Sequence, residues 1–414
     1  MTTALLVEPA STHSYGIRRR WLDNLPAGRI VAIDVARFFA LIGMVFAHTA
    51  TPYAPNGDYL WWGELTTGRP SVLFATLAGV SLALMTGGTK PLKDATSRYV
   101  GLAVRAVLVF VIGLALAMAN TGILIILPVY ATLFLLLIPF LRWRARTLFA
   151  LGGAWLVIGP VLFFLANRAQ LGFSQTADVA AGSNLTFQSV WDYPVSAVYS
   201  IFLTGTYPAL VWFGYMLIGA GVGRCDLRSW RPAAWLTGVG AAMTGLSLYC
   251  ARFAQAAYDT ALDQGDKVAG SLMKYDAQGA IPKDKLKEAS EQISQSMYGD
   301  WRTLLGIHPH SGTIGEAVGS IGSALLVIGL CLLVVRTGFR LWSVLFGAGA
   351  MTLTLYAVHI VFTTYGPTIE HPLRYNLLLL VPVGMVFGLL GRSGPLEKIV
   401  AWTSARVSRA VVRG

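Results

Sequence analysis

Asp34, Arg37 and His48 are the residues whose types and spacing invite chemistry, because all three fall in an apolar run, 30–50, long enough to cross a bilayer. Charging a position embedded in hydrocarbon costs about 2.5–3.5 kcal/mol on insertion scales, so such groups face a cavity, a partner or a substrate path. Asp34 to Arg37 is an i,i+3 step and Arg37 to His48 spans 11 residues. A helix covers that second interval in about three turns and about 16 Å of rise, which puts all three groups on one face. A histidine near neutral pH can take and return a proton, as transfer to a hydroxyl or amine requires. Asp34 with Arg37 suits equally a buried ion pair whose only task is to lock helices together.

Two further histidines share the level of His48: His310, just before the outer start of a later apolar run, and His359, near the outer end of the next. Each could serve the same chemistry or be a hydrogen-bonded structural residue. Arg98 and Arg105, seven residues apart, share a helix face; guanidinium forks match phosphate oxygens, so a pair on a cavity suits a phosphorylated donor. Snorkelling explains Arg98 as well. Arg69, Tyr53, Trp61 and Trp62 flank the first outer loop, where aromatic rings could stack a sugar or anchor the interface.

The elements that must position these groups are membrane helices. Of 414 residues, 55% are hydrophobic and only 13% charged, against about a quarter charged in soluble proteins, and mean hydropathy is +0.60. The fold class expected is an all-α, polytopic integral membrane bundle. Ten spans are expected: 30–50, 69–87, 99–118, 121–141, 147–167, 205–223, 232–251, 316–335, 342–363 and 375–391. Lys and Arg cluster in alternate connections, which by the positive-inside rule predicts both termini in the cytoplasm. The segment 189–204 is apolar but short and reads as an interfacial or re-entrant helix on the outer side. The expected organisation is a cytoplasmic tail, 1–29; a transmembrane bundle, 30–252; an extracytoplasmic loop, 253–314; a second transmembrane region, 315–391; and a cytoplasmic tail, 392–414.

The net charge of +12 is scattered between apolar runs, which argues against nucleic acid. Cys225, Cys250 and Cys331 lack metal-type spacing, so neither a disulfide framework nor a metal site is expected. Arg18, Arg19 and Arg20 precede no short apolar segment with a cleavage site, so no removable signal peptide is expected. Membrane lipids are the expected partners, and a homo-oligomer is compatible with the sequence.

Arg37, ten residues, then His48 resembles the signature of the acyltransferase 3 family. Arg29-Ile-Val-Ala-Ile-Asp34-Val-Ala-Arg37, with the stretch Gly68 to Ala83, resembles more closely the bacterial relatives of heparan-alpha-glucosaminide N-acetyltransferase. Tyr207-Pro-Ala-Leu, Gly219-Ala-Gly-Val-Gly-Arg224, Gly347 to Tyr356 and Gly394-Pro-Leu-Glu397 are similar to the domain of unknown function (DUF418) that accompanies it. The resemblance implies a bacterial plasma-membrane enzyme that takes an acyl group, typically acetyl, from cytosolic acetyl-CoA or another acyl-CoA to an extracytoplasmic sugar or glycolipid. It makes His48 the catalytic histidine and Asp34 and Arg37 the paired charges. Two departures stand out. Phe38 replaces a glycine of that group, and His48 stands where the heparan enzymes have asparagine, their histidine lying in the next loop, whereas Thr49 to Gly68 contains none. The competing reading is a transporter or lipid flippase without acyl transfer, although neither internal repeats nor matched broken spans are visible.

Overall fold

A chain this apolar must satisfy its backbone amides internally, and among the described residues it does so in helices, with no strand. The computed structural model describes residues 29–52, 60–92, 96–120, 122–169, 183–276, 283–335, 339–366 and 371–413. In chain order the helices are α1 (Val31–Thr49), α2 (Trp61–Thr66), α3 (Arg69–Met85), α4 (Thr96–Ala117), α5 (Leu127–Leu137), α6 (Ala145–Arg168), α7 (Phe187–Asp192), α8 (Pro194–Tyr199) and α9 (Ala209–Gly223). They continue as α10 (Trp230–Asp276), α11 (Lys283–Tyr298), α12 (Ile314–Val334), α13 (Phe339–Leu345), α14 (Thr352–Tyr365), α15 (Pro372–Leu389) and α16 (Pro395–Arg413).

Among the described residues six helices are long and apolar enough to cross a membrane: α1, α4, α6, α10 as far as Val268, α12 and α15. A seventh is reached if 194–204 and α9, bent by 60° from one another, make one span. The expected number of ten is not confirmed. Hydropathy alone cannot see helix length, and α3 and the continuous Leu127–Arg142 segment are apolar helices shorter than these six. The expected span 342–363 breaks into α13, a 3-10 turn at Gly347–Ala350 and α14. Glycine permits close packing at the break: a Cβ on Gly349 would collide with the backbone carbonyl of Asp34, and one on Gly384 with Ala348. The turn therefore threads between α1 and α15 at backbone contact distance.

α9 packs most closely against α3. Cβ atoms on Gly79, Gly219 or Gly223 would meet the carbonyls of Met216, Thr76 and Val80 respectively, the small-residue packing by which membrane helices approach. Arg224, at the end of α9, is buried and donates to the carbonyls of Ala83 (2.6 Å) and Gly88 (2.9 Å), to Thr86 Oγ1 (2.8 Å) and to the Leu141 carbonyl. It thus closes the C-terminus of α3, where carbonyls have no partner within the helix.

Beyond the expected span 232–251, α10 continues unbroken to Asp276, and α11 packs back on it, so the connection 253–314 carries two packed helices, as its mix of Lys, Asp and Glu with Ala, Gln and Leu leads one to expect. The expected tail 392–414 holds α16, which packs along α4. Its exposed Ile399, Trp402 and Val411 alternate with Lys398, Arg406 and Arg409, as on a helix lying at a membrane surface.

Candidate functional site

The polar face expected of α1 is present. Asp34, in the first turn, is buried and clasped by two arginines: Arg29 Nε at 2.6 Å and Arg37 Nη1 at 3.1 Å. A carboxylate here also suits the positive end of the helix dipole. Arg37 extends the chain to α3, donating through Nη2 to Ser81 Oγ at 2.5 Å. The ion pair and a helix lock are one structure.

At the other end of α1, His48 Nδ1 lies 3.0 Å from His359 Nε2 of α14, the rings nearly parallel with centroids 5.3 Å apart. His359 is fully buried, and its Nδ1 lies 2.8 Å from Asn376 Oδ1 of α15 and 3.3 Å from Thr363 Oγ1. Asn376 is 1% exposed and donates through Nδ2 to the Pro372 carbonyl at 2.9 Å. A row of hydrogen-bonded groups therefore runs through three helices.

His310 arrives from the turn before α12. Its backbone N–H donates to Glu316 Oε1 at 2.6 Å, while Glu316 Oε2 accepts from the Gly312 N–H at 2.8 Å and the Ser311 hydroxyl at 3.2 Å. Thr313 caps α12, accepting from the Glu316 N–H at 3.1 Å. His310 holds a left-handed backbone, φ +63°, a conformation uncommon among non-glycine residues. Its ring sits edge-on to Tyr207, and its Nδ1 is buried without a partner. Burial pushes its pKa down to about 4, so the ring is neutral at neutral pH.

Between these groups and the Met85 end of the bundle is a cavity of about 250 Å3. Arg37 and Met44 of α1, Ser81 and Met85 of α3, Arg105 of α4, Tyr130 of α5, Tyr356 of α14 and Glu397 of α16 line it. The α1 lining ends at Met44, and His48 stands four residues on, about one turn. Glu397 caps α14, accepting the Leu353 N–H at 2.7 Å and the Thr354 hydroxyl at 2.5 Å.

Residues 29–249, more than half the chain, match the catalytic-domain family of heparan-alpha-glucosaminide N-acetyltransferase. The chain belongs to that family. It is accordingly a membrane protein of an acetyltransferase family, and that family depends in general on acetyl-CoA. No curated protein matches the chain. The match takes in Asp34, Arg37, His48, Ser81 and Arg105 and ends before His310, His359, Asn376 and Glu397.

The other sequence candidates are dispersed. Arg98 is exposed and does not line the cavity: it donates to the Met85 carbonyl at 2.9 Å, whereas Arg105 Nη1 lies 3.7 Å from Met85 Sδ on the cavity side. Arg98 instead lines a second hollow of about 530 Å3 with Thr89, Asp226 and Arg228. Arg69 and Trp62 lie on an apolar groove that takes Phe39 and Phe46 from α1, whereas the cavity takes Arg37 and Met44; at 100° per residue these two sets point to opposite sides of the helix. Tyr53 and the side chain of Trp61 lie outside the described residues, as does 1–28. Among the described residues no cluster of His, Cys, Asp or Glu could hold a metal. Sequence reasoning missed Ser81, Asn376 and Glu397. A lone asparagine in the apolar run 375–391 was a usable signal, since polar groups inside spans are rarely idle.

Proposed function

We propose that the protein transfers an acyl group, acetyl by family, from an acyl-CoA on the cytosolic side to a sugar or glycolipid on the outer side of a bacterial plasma membrane, with His48 as base. The observation that carries this reading is the arginine-lined cavity that rises from Arg105 to the turn beneath His48. Its volume is below the about 300–1,000 Å3 of pockets that enclose a drug-sized ligand, so it suits an acyl-pantetheine arm with the nucleotide left outside. Arg105 and Arg37 supply positive charge along it, and the hollow beside Arg98 and Arg228, just across Met85, offers a place for the phosphates. Arginine clusters at that end of the bundle fit the cytosolic side.

His48 takes the proton of the acceptor hydroxyl as its oxygen attacks the thioester carbonyl. The C–S bond breaks as the C–O bond forms, and the same histidine returns the proton to the leaving thiolate. The products are the acyl ester and free thiol. An amine acceptor follows the same path to an amide. Asp34 pairs with both Arg29 and Arg37, which leaves the trio one net positive charge and fixes Arg37 in place on the cavity.

The test is transfer of label from radiolabelled acetyl-CoA, supplied on the Arg98 side of oriented proteoliposomes, to membrane glycolipid or added sugar. Label on the acceptor is expected. Glycolipid or sugar movement across the bilayer without thioester and without acylation would favour a transporter instead.

A further inference from the structure

We propose that Asn376, acting through His359, holds His48 with its proton on Nδ1, so that Nε2 is the nitrogen left free to accept the acceptor's proton. The inference deepens the acyl-transfer reading and rests on it for the identity of the proton donor. Asn376 and His359 are positioning residues; both come from beyond the family-matched segment.

Asn376 Nδ2 donates to the Pro372 carbonyl at 2.9 Å, one turn back on the same helix, and reaches Thr363 Oγ1 at 3.5 Å. An amide nitrogen occupied in this way leaves Oδ1, an acceptor only, facing His359 Nδ1 at 2.8 Å. His359 Nδ1 must therefore carry a proton. A neutral imidazole protonated there has a bare Nε2, and this bare nitrogen faces His48 Nδ1 at 3.0 Å. Two lone pairs cannot share that distance, so the proton between them belongs to His48 Nδ1. His48 Nε2 is then unprotonated. Neutral imidazole in water favours the opposite form, with the proton on Nε2, so the environment selects the tautomer. Burial of His359 and Asn376, 0% and 1% exposed, removes the water that could replace either partner.

The outcome is functional. A histidine fixed in this form presents a ready base, and the cation formed when it takes a proton is stabilised through the Nδ1–H bond to His359. The same logic of a base oriented by a third group governs hydrolytic triads on unrelated folds.

The test is solid-state 15N NMR of histidine-labelled full-length protein in lipid bilayers, with His48 assigned by difference from His48→Gln. His48 should be protonated at Nδ1 in the wild type and in His359→Gln, whose amide oxygen can replace the acceptor. It should shift towards Nε2 protonation in Asn376→Leu and His359→Leu. In acetyl-CoA assays Asn376→Leu should lower kcat by about 100-fold with KM for acetyl-CoA within about twofold, and His359→Gln should recover much of what His359→Leu loses. The two histidine variants carry the test should Asn376→Leu fail to fold. Nε2 protonation of His48 in the wild type, or an unchanged His48 tautomer in folded Asn376→Leu or His359→Leu, would overturn the inference. A wild type with the expected tautomer that acylates nothing would instead overturn the acyl-transfer reading and leave the tautomer assignment standing.

Discussion

His48 Nδ1 and His359 Nε2 lie 3.0 Å apart although 311 residues separate them in the chain. The family match covers the first histidine and not the second. The site is therefore assembled from both parts of the chain, and the helices after residue 314 complete a constellation that the matched segment begins.

Arg105 should act on donor binding. It lines the cavity and reaches only Met85 Sδ, at 3.7 Å, among the hydrogen bonds described for it. Arg105→Gln should raise KM for acetyl-CoA by about tenfold or more, the scale of one charged hydrogen bond, with little change in kcat. Steady-state kinetics on purified protein checks this, and an unchanged KM would remove Arg105 from the donor path.

Asp34→Asn should destabilise the bundle by about 2 kcal/mol, because it leaves two arginines facing one another without their shared carboxylate. Both guanidinium groups keep some exposure, with side chains 26% and 28% accessible, so the cost is below that of a fully buried pair. Thermal unfolding in detergent reads it; a midpoint equal to the wild type would show that the clasp is dispensable.

That clasp was legible in the sequence, since an i,i+3 acid and base inside an apolar helix have few other partners. The common level of His48 and His359 was also legible, from span topology. The break at Gly347–Ala350 was not, because hydropathy reports apolar content and is blind to a backbone pressed against the Asp34 carbonyl. Asn376 and Glu397 were missed for a related reason: their partners lie 17 and 43–44 residues away, and such pairings leave no periodic trace.

Gly219→Val should cost about 1–3 kcal/mol, the usual range for overpacking, since its side chain would enter the Thr76 carbonyl across the α3–α9 contact. Loss of detergent-stable protein in size-exclusion chromatography is the expected readout. A normal elution profile and melting midpoint would mean that the helices can separate freely.

Acidification should remove the stabilising contribution of His310 in the turn before α12. Burial lowers His310 from 6.5 to about 4, so between these values the unfolded chain binds a proton that the folded one refuses. The stabilisation is complete above about pH 6.5 and is lost as pH falls towards about 4. His308, stacked on Tyr258, is held down by burial too and contributes with the same sign. His310→Gln should give a shallower fall in melting temperature over that window, and equal slopes in both proteins would contradict this assignment.

The most direct measurement is acyl transfer by His48→Ala beside the wild type, with acetyl-CoA binding followed on the same preparations by calorimetry. With His48 as the base, kcat should fall by about 10²–10⁴, the range for a positioned base, with binding retained. Transfer within twofold of the wild type by His48→Ala would contradict it.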